Sequence, residues 1–355
     1  MKVNNSQLFR MSATCMAVAA VLTIPSYSYA AEAAQQAAAT GIERIQISAS
    51  RRASTVQEAP LNITALDGDV MKDQNISQLS DVARWVPGLS IADQGGREGS
   101  PIIVRGLNTN SAGPASDGGT VATYIGEIPL VVDMKLIDVK RVEVLIGPQG
   151  TLYGKNTIGG AVKYVTREMS GDTEFTIEGT VGSYNQKDLK ITGQIPLVED
   201  KLYFGFGHAE LNRDGYGEFL ISALAGQDTE NYNKDLSASR LTLEYHASDD
   251  LFMRLAWDRT NDDSNAKGGY RLLPSLLTDA PVPDSVYDSY TSMPTKNAVE
   301  LEGLSFLASW QVNDELSLKY VATSREGNSD TNIDFDNTQL DIFDVPAFYQ
   351  DENTS

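Results

Sequence analysis

Cysteine is almost absent: the 355-residue chain has one, Cys15, beside two histidines, His208 and His246. Cys15 falls in an expected secretory leader over residues 1–30. Lys2 and Arg10 make its basic start, residues 11–24 its apolar core, and Ser28-Tyr29-Ala30 a small-x-small cleavage site. Met11-Ser12-Ala13-Thr14 is a poor lipobox, so Cys15 is not read as a lipid anchor. The mature chain then has no thiol, which excludes disulfides and thiolate metal sites. Two histidines do not build a metal centre, and each reads as a lumen or surface residue. No spaced Ser/His/Asp set and no dyad of carboxylates points to catalysis. The expectation is a protein with no metal, no cofactor and no enzymatic activity.

Positive charge is scarce too. Lys and Arg number 28 against 48 Asp and Glu, a formal net charge of −20, which disfavours nucleic acid as a partner. Long apolar runs are missing: the leader core is too short to span, and no later segment has the roughly 20 residues a membrane helix needs. An exported chain without such helices is soluble in the periplasm, secreted, or crosses a membrane with strands.

What is present centres on residues 139–167. Val139, Val142, Val144 and Ile146, with charges between them, read as a half-buried strand. Gly147-Pro148 ends it, since proline donates no ladder bond. Gly150, Gly154, Gly159 and Gly160 punctuate the turns that follow, and residues 161–165 resume strand character. Gly150 to Lys155 is superficially like a phosphate-cradling loop. Gln149 and Asn156 break that pattern, Asn156 standing where a metal-binding hydroxyl belongs.

Residues 52–167 read as one mixed α+β domain. Asn75 or Ser77 caps a helix through Leu79, Val82 and Trp85 that stops at Pro87-Gly88. Residues 102–107 form a strand. Residues 121–125 and 130–132 flank a hairpin-like turn with Gly126 at its first central position. Residues 93–100 and 108–120 are loops rich in Gly, Ser, Asn and Asp. Before the domain, residues 31–41 form a mobile lead-in, and Ile45 and Ile47 alternate with polar residues as in a short strand.

Together these stretches resemble the plug domain of TonB-dependent outer-membrane receptors. In V-K-R-V-E-V-L-I-G-P-Q-G-T-L-Y-G-K-N-T-I-G-G-A-V-K-Y-V-T-R, the family pattern is met by Arg141, Glu143, Gly147, Pro148, Gly150, Tyr153, Gly154, Gly159 and Gly160. Ile146 departs from it, standing where the family has arginine. Residues 79–89 resemble the plug helix, Ile103-Val104-Arg105-Gly106 its "IxxRG" strand, and residues 124–130 its "VYVDGVPL" hairpin. The resemblance implies a plug inside a transmembrane β-barrel in the cell outer membrane of a Gram-negative bacterium, in contact with outer-membrane lipid. It implies two further partners: the TonB energy-transducing protein of the inner membrane, and an extracellular small ligand, foremost a ferric siderophore. Ile42, Glu43, Arg44, Ile45, Gln46, Ile47, Ser48 and Ala49 then stand where a TonB box belongs, a peptide that pairs by strand addition. The lead-in leaves no room for an extra signalling domain. Gln94, Arg97, Asn108, Asn110 and Asp117 are the candidates for ligand contact in the plug loops.

From residue 172 the texture changes to period-two alternation. Seven strands are expected, near 175–181, 189–195, 202–211, 240–246, 251–257, 304–312 and 316–320. The face of the third is ambiguous. Tight acidic turns at 198–201, 247–250 and 312–315 alternate with long polar stretches, the pattern of outer-membrane barrels. Tyr184, Tyr203, Trp257 and Trp310 suit interface girdles. Residues 42–167 balance 13 basic with 13 acidic side chains, whereas residues 168–355 carry 13 basic and 34 acidic. A family barrel has 22 strands. Seven cannot close, and residues 351–355 lack a terminal aromatic strand. The expected fold is therefore an α+β plug followed by antiparallel strands of an incomplete barrel, the N-terminal piece of a receptor or a truncated gene product.

Overall fold

The computed structural model describes residues 46–47, 54–57, 59, 61–74, 76, 78–91, 101–108, 120–130, 139–154, 156–169, 171–220, 227–278 and 281–354. The expected leader and lead-in, and the Asn75 and Ser77 caps, lie outside them. All described residues belong to one compact unit.

In the first domain, β1 (Gln46–Ile47) and β2 (Ser54–Thr55) pair antiparallel. β3 (Asn62–Asp67) leads into α1 (Gly68–Asp73), which Asp67 caps by accepting the Asp69 N–H at 3.1 Å. Both were missed in the sequence: adjacent Ala65 and Leu66 break the alternation in β3, and six residues are too few for a helical period to show. α2 (Leu79–Val82) continues as a 3-10 turn over Ala83–Trp85, with Leu79 and Val82 buried and Trp85 exposed. β4 (Leu89–Ile91), β5 (Ile102–Val104) and β6 (Leu107–Asn108) make a small sheet. β7 (Val121–Ile125) and β8 (Ile128–Leu130) join through Gly126-Glu127, with Gly126 at φ +59°, the expected first central glycine. β9 (Val139–Ile146), α3 (Gly150–Tyr153) and β10 (Gly160–Thr166) complete the domain. The main sheet runs β3-β9-β10-β7-β8, with β10 parallel to β7 and the other neighbours antiparallel.

β9 corrects an expectation: it is buried on both faces rather than half-buried. Val142, Val144 and Ile146 join one core with Leu79, Val82, Val104 and Val162. Leu145 joins a second with Ile47, Ile63, Tyr124, Tyr153 and Ala161. Arg141 and Glu143 are therefore inside as well, Glu143 with no exposed surface. Alternating charge marks a wet face only where nothing covers it, and here β3 and β10 flank β9 while packed layers cover both sides.

Beyond the domain, eight strands form one antiparallel wall. They are β11 (Glu174–Val181), β12 (Lys187–Val198), β13 (Leu202–Arg213), β16 (Lys234–Ser248), β17 (Leu251–Asp262), β18 (Lys296–Gln311), β19 (Ser317–Asp334) and β20 (Asp344–Thr354). Short β14 (Gly217–Glu218) and β15 (Glu230–Asn231) pair within a loop. β20 corrects the expectation of seven strands. It pairs with β19 from Asp344↔Asp334 to Thr354↔Ser324. Its residues carry no apolar alternation, so only the partner reveals it. A crossing takes about 9–11 residues, whereas β18 has 16 and β19 has 18.

Register fixes the faces. Leu241, Leu243, Tyr245, Leu255, Leu304, Trp310, Leu318 and Tyr320 are exposed on the outside, while Thr242, Glu244, Asp258, Thr260 and Thr323 are buried on the inside. In β13, Phe204 and Phe206 point outward and Gly205, Gly207 and Ala209 inward. The tight connections at 199–201, 249–250 and 312–316 share one end of the wall, as expected.

Candidate functional site

The peptide at residues 42–49 is described only at Gln46 and Ile47; Ile42, Glu43, Arg44, Ile45, Ser48 and Ala49 lie outside the described residues. Ile47 is 1% exposed and sits in the second core. A residue so seated cannot pair with another chain until it leaves.

The glycine-rich connection folds from its own backbone. Gly147 N–H donates to the Gly159 carbonyl at 2.9 Å, Gln149 N–H to Thr157 at 2.8 Å, and Gly159 N–H to Thr120 at 2.7 Å. Gly160 has φ +152°, and a Cβ there would stand 2.1 Å from the Leu145 carbonyl oxygen, which no side chain tolerates. Gly150 opens α3 and Gly154 closes it, placing Tyr153 in the second core. The Tyr124 and Tyr153 rings meet edge-on at 4.9 Å, and the Tyr124 hydroxyl donates to the Tyr153 carbonyl. Pro148 is exposed. Ile146, where the resemblance has arginine, is buried in the first core. Arg105 and Gly106, at φ +48° and +84°, form the two-residue turn between β5 and β6. Arg141 Nε donates to Glu143 Oε1 at 2.6 Å. These motif residues build the domain.

Of the loop candidates, Gln94, Arg97, Asn110 and Asp117 lie outside the described residues. Asn108 ends β6, its backbone opposite Ile103.

Sequence reasoning missed the contacts that hold the domain to the wall. Glu127, at the β7–β8 turn, accepts from Lys163 Nζ at 3.1 Å and lies 3.6 Å from Lys319 Nζ on β19. Glu244 on β16 has no exposed surface; it accepts the Met169 N–H at 2.9 Å and Arg254 Nε at 2.6 Å. Arg254 Nη1 reaches Thr166 Oγ1 at 3.0 Å. The Met169 thioether fills the space over Gly205, where a Cβ would stand 2.7 Å from the sulfur. Val321 of β19 packs on the first core. A signal did exist for one pair: the turn at 249–250 sets Glu244 opposite Arg254 on the inward face.

At the other end of the wall the loops are knitted together. Asn231, fully buried, donates to the Tyr287 carbonyl at 2.8 Å and accepts the Gly268 N–H at 3.0 Å. Tyr216 stacks on Tyr232 at 4.8 Å and meets Tyr287 edge-on at 5.0 Å. Burial raises the Tyr232 hydroxyl above its ordinary pKa, helped by Tyr216 and Tyr287.

Comparison with known proteins agrees with this architecture. Residues 55–161 match the family described as the TonB-dependent Receptor Plug Domain. The chain is 28% identical over 205 residues to a Pesticin receptor of Yersinia enterocolitica, covering 56% of this chain and 28% of that receptor. It is 27% identical over 179 residues to a Vitamin B12 transporter of Vibrio vulnificus, covering 50% and 28%. Such relatives are receptors and transporters, not enzymes, and the chain spans less than a third of their length. The crystal structure of the ferric yersiniabactin uptake receptor of Yersinia pestis superposes with a TM-score of 0.64 at 20% identity, over 77% of this chain and 42% of that one.

Proposed function

We propose that this chain, which carries a TonB-dependent receptor plug domain followed by the antiparallel strands of such a receptor's barrel, serves energised uptake of a scarce nutrient across the outer membrane, foremost a ferric siderophore. The observation that carries the reading is the attachment of the domain to the inward face of the wall. Glu127 meets Lys319, and Glu244 holds Met169, both toward the tight-turn end. A stopper fixed in this way needs work to shift it. An outer membrane offers no nucleotide or ion gradient, so that work comes from the inner membrane through residues 42–49. Ligand binds from outside between plug loops and barrel loops, the peptide pairs with TonB by strand addition, and pulling on it loosens the plug.

Deleting residues 42–49 tests this. Uptake should stop while ligand binding persists; a passive porin-like channel or an adhesin would be unaffected. A second ligand class has its own support. The 34 acidic against 13 basic residues after 167 disfavour steering of an anionic ferric complex, which leaves an uncharged cargo such as an oligosaccharide, or cobalamin, better placed on charge; haem is a further alternative without that support. Growth on single iron or carbon sources separates them.

A further inference from the structure

The β17–β18 loop (residues 263–295) and the β19–β20 hairpin (residues 335–343) are tied together at the long-loop end of the wall. Asp334 ends β19 and Asp344 begins β20, and the two stand directly opposite in register. Asp336 joins them from the hairpin, with one oxygen of each carboxylate within 4.8 Å of the others. Like charges placed directly opposite repel. None of the three makes an ion pair among the described residues, and Lys296 of neighbouring β18 is taken by Asp330 at 2.5 Å. The charged groups that act on Asp334 and Asp344 are each other's neighbours in the cluster and Asp341 of the hairpin, all acidic.

The hydrogen bonds between loop and hairpin run through this cluster. Buried Asp334 accepts the Ser292 N–H from the loop at 3.1 Å and the Asn337 N–H from the hairpin at 2.8 Å. The Ser292 hydroxyl donates to Asp344. Asp336 accepts the Thr338 and Phe343 N–H groups, each at 2.9 Å, which shapes the hairpin. Asn337 carries the tie further: its Oδ1 accepts the Gly269 N–H at 2.6 Å and the Ser289 hydroxyl at 3.1 Å. Two stretches of the loop, at 269 and at 289–292, thus hang on groups that the three carboxylates hold in place.

Carboxylates this close ionise together only against their mutual repulsion, and a shared proton relieves it. We propose that the three form a proton-operated clasp: with a proton on the cluster the hairpin holds the loop, and with all three ionised the two part at Ser292 and Asn337. The Ser292 and Asn337 N–H groups favour ionised Asp334, but burial outweighs them and holds its carboxyl up at about 6; burial raises Asp344 as well. The folded state therefore binds the proton more tightly, so the stabilisation is complete below the ordinary 3.8 and is lost as pH rises through about 6. On the receptor reading the clasp stands at the end where ligand enters, and acid restrains a loop that ligand meets; the clasp itself does not depend on that reading.

Amide exchange of the full chain in detergent micelles with EDTA, corrected for intrinsic rates, tests the clasp. Segments 268–270 and 288–293 of the loop should open about tenfold more at pH 7.5 than at pH 5, the ratio that a value of about 6 against an ordinary 3.8 gives over this interval. Asp344→Asn, which removes one charge and keeps an acceptor for Ser292, should leave the loop held at both pH values. Asp336→Asn serves as the second variant if the Asp344 change disturbs β20. Asn337→Ala should release segment 268–270 at both pH values, because its carbonyl is the link to Gly269. A loop equally protected at the two pH values, or a pH response that survives both carboxamide variants, would overturn the proposal. A loop that responds in micelles without energised uptake in cells at any pH would sink the receptor reading alone; uptake without a loop response would sink only the clasp.

Discussion

Glu244 of β16 accepts the backbone N–H of Met169 at 2.9 Å, so a fully buried carboxylate of the wall grips the segment by which the chain leaves the first domain. Sequence neighbours of Met169 add a second hold, since Arg254, paired to Glu244, also reaches Thr166. Removing one member of a buried ion pair strands the other charge. Glu244→Ala should cost about 3–5 kcal/mol. Glu244→Gln, which keeps an acceptor for the N–H, should cost about 1–3 kcal/mol. Urea titration followed by tryptophan fluorescence in micelles measures both.

The two lysines around Glu127 are unequal. Lys163 is buried and Lys319 is 47% exposed at its side chain. Lys163→Gln should cost about 3 kcal/mol or more, and Lys319→Gln under about 1 kcal/mol because water screens it. The same titration reads both, and equal effects would contradict the assignment.

Gly160 and Gly150 make a sharp contrast within one motif. A Cβ at 160 meets the Leu145 carbonyl, while one at 150 meets nothing within 4 Å. Gly160→Ala should cost about 3 kcal/mol or more, or abolish folding. Gly150→Ala should stay within about 0.5 kcal/mol. Melting curves of the two variants decide.

Burial pushes the Asp334 carboxyl, at the long-loop end of β19, up to about 6. Burial is the main cause, and Asp336 and Asp344 add like charge; the Asn337 and Ser292 N–H groups oppose them. The folded value lies above the ordinary 3.8, so the folded state holds the proton more tightly. This contribution is present at low pH and is lost as pH rises through about 6. Amide exchange in residues 334–344 should be slower near pH 5 than near pH 7.5 once corrected for intrinsic rates, and Asp334→Asn should flatten the difference.

Much of the first domain was legible because its turns demand particular residues: Gly126 opens its hairpin and Leu79 and Val82 seat α2. The wall was legible where outward Leu304 and Phe306 alternate with inward Ser305. β20 carries no such alternation and went unseen. Burial of Glu143 was also hidden, since a covered second face looks like a wet one in the sequence. Glu127 and Lys319 are 192 positions apart, and no local period reports such a pair.

The account turns on the domain parting from the wall during transport. The chain's lone Cys15 lies in the expected leader, so Glu127→Cys with Lys319→Cys can be joined by a short bis-maleimide without background. Joined receptors should still bind ligand yet fail to import it, while the same double-cysteine receptor left unjoined imports. Full import by quantitatively joined receptors would contradict the account.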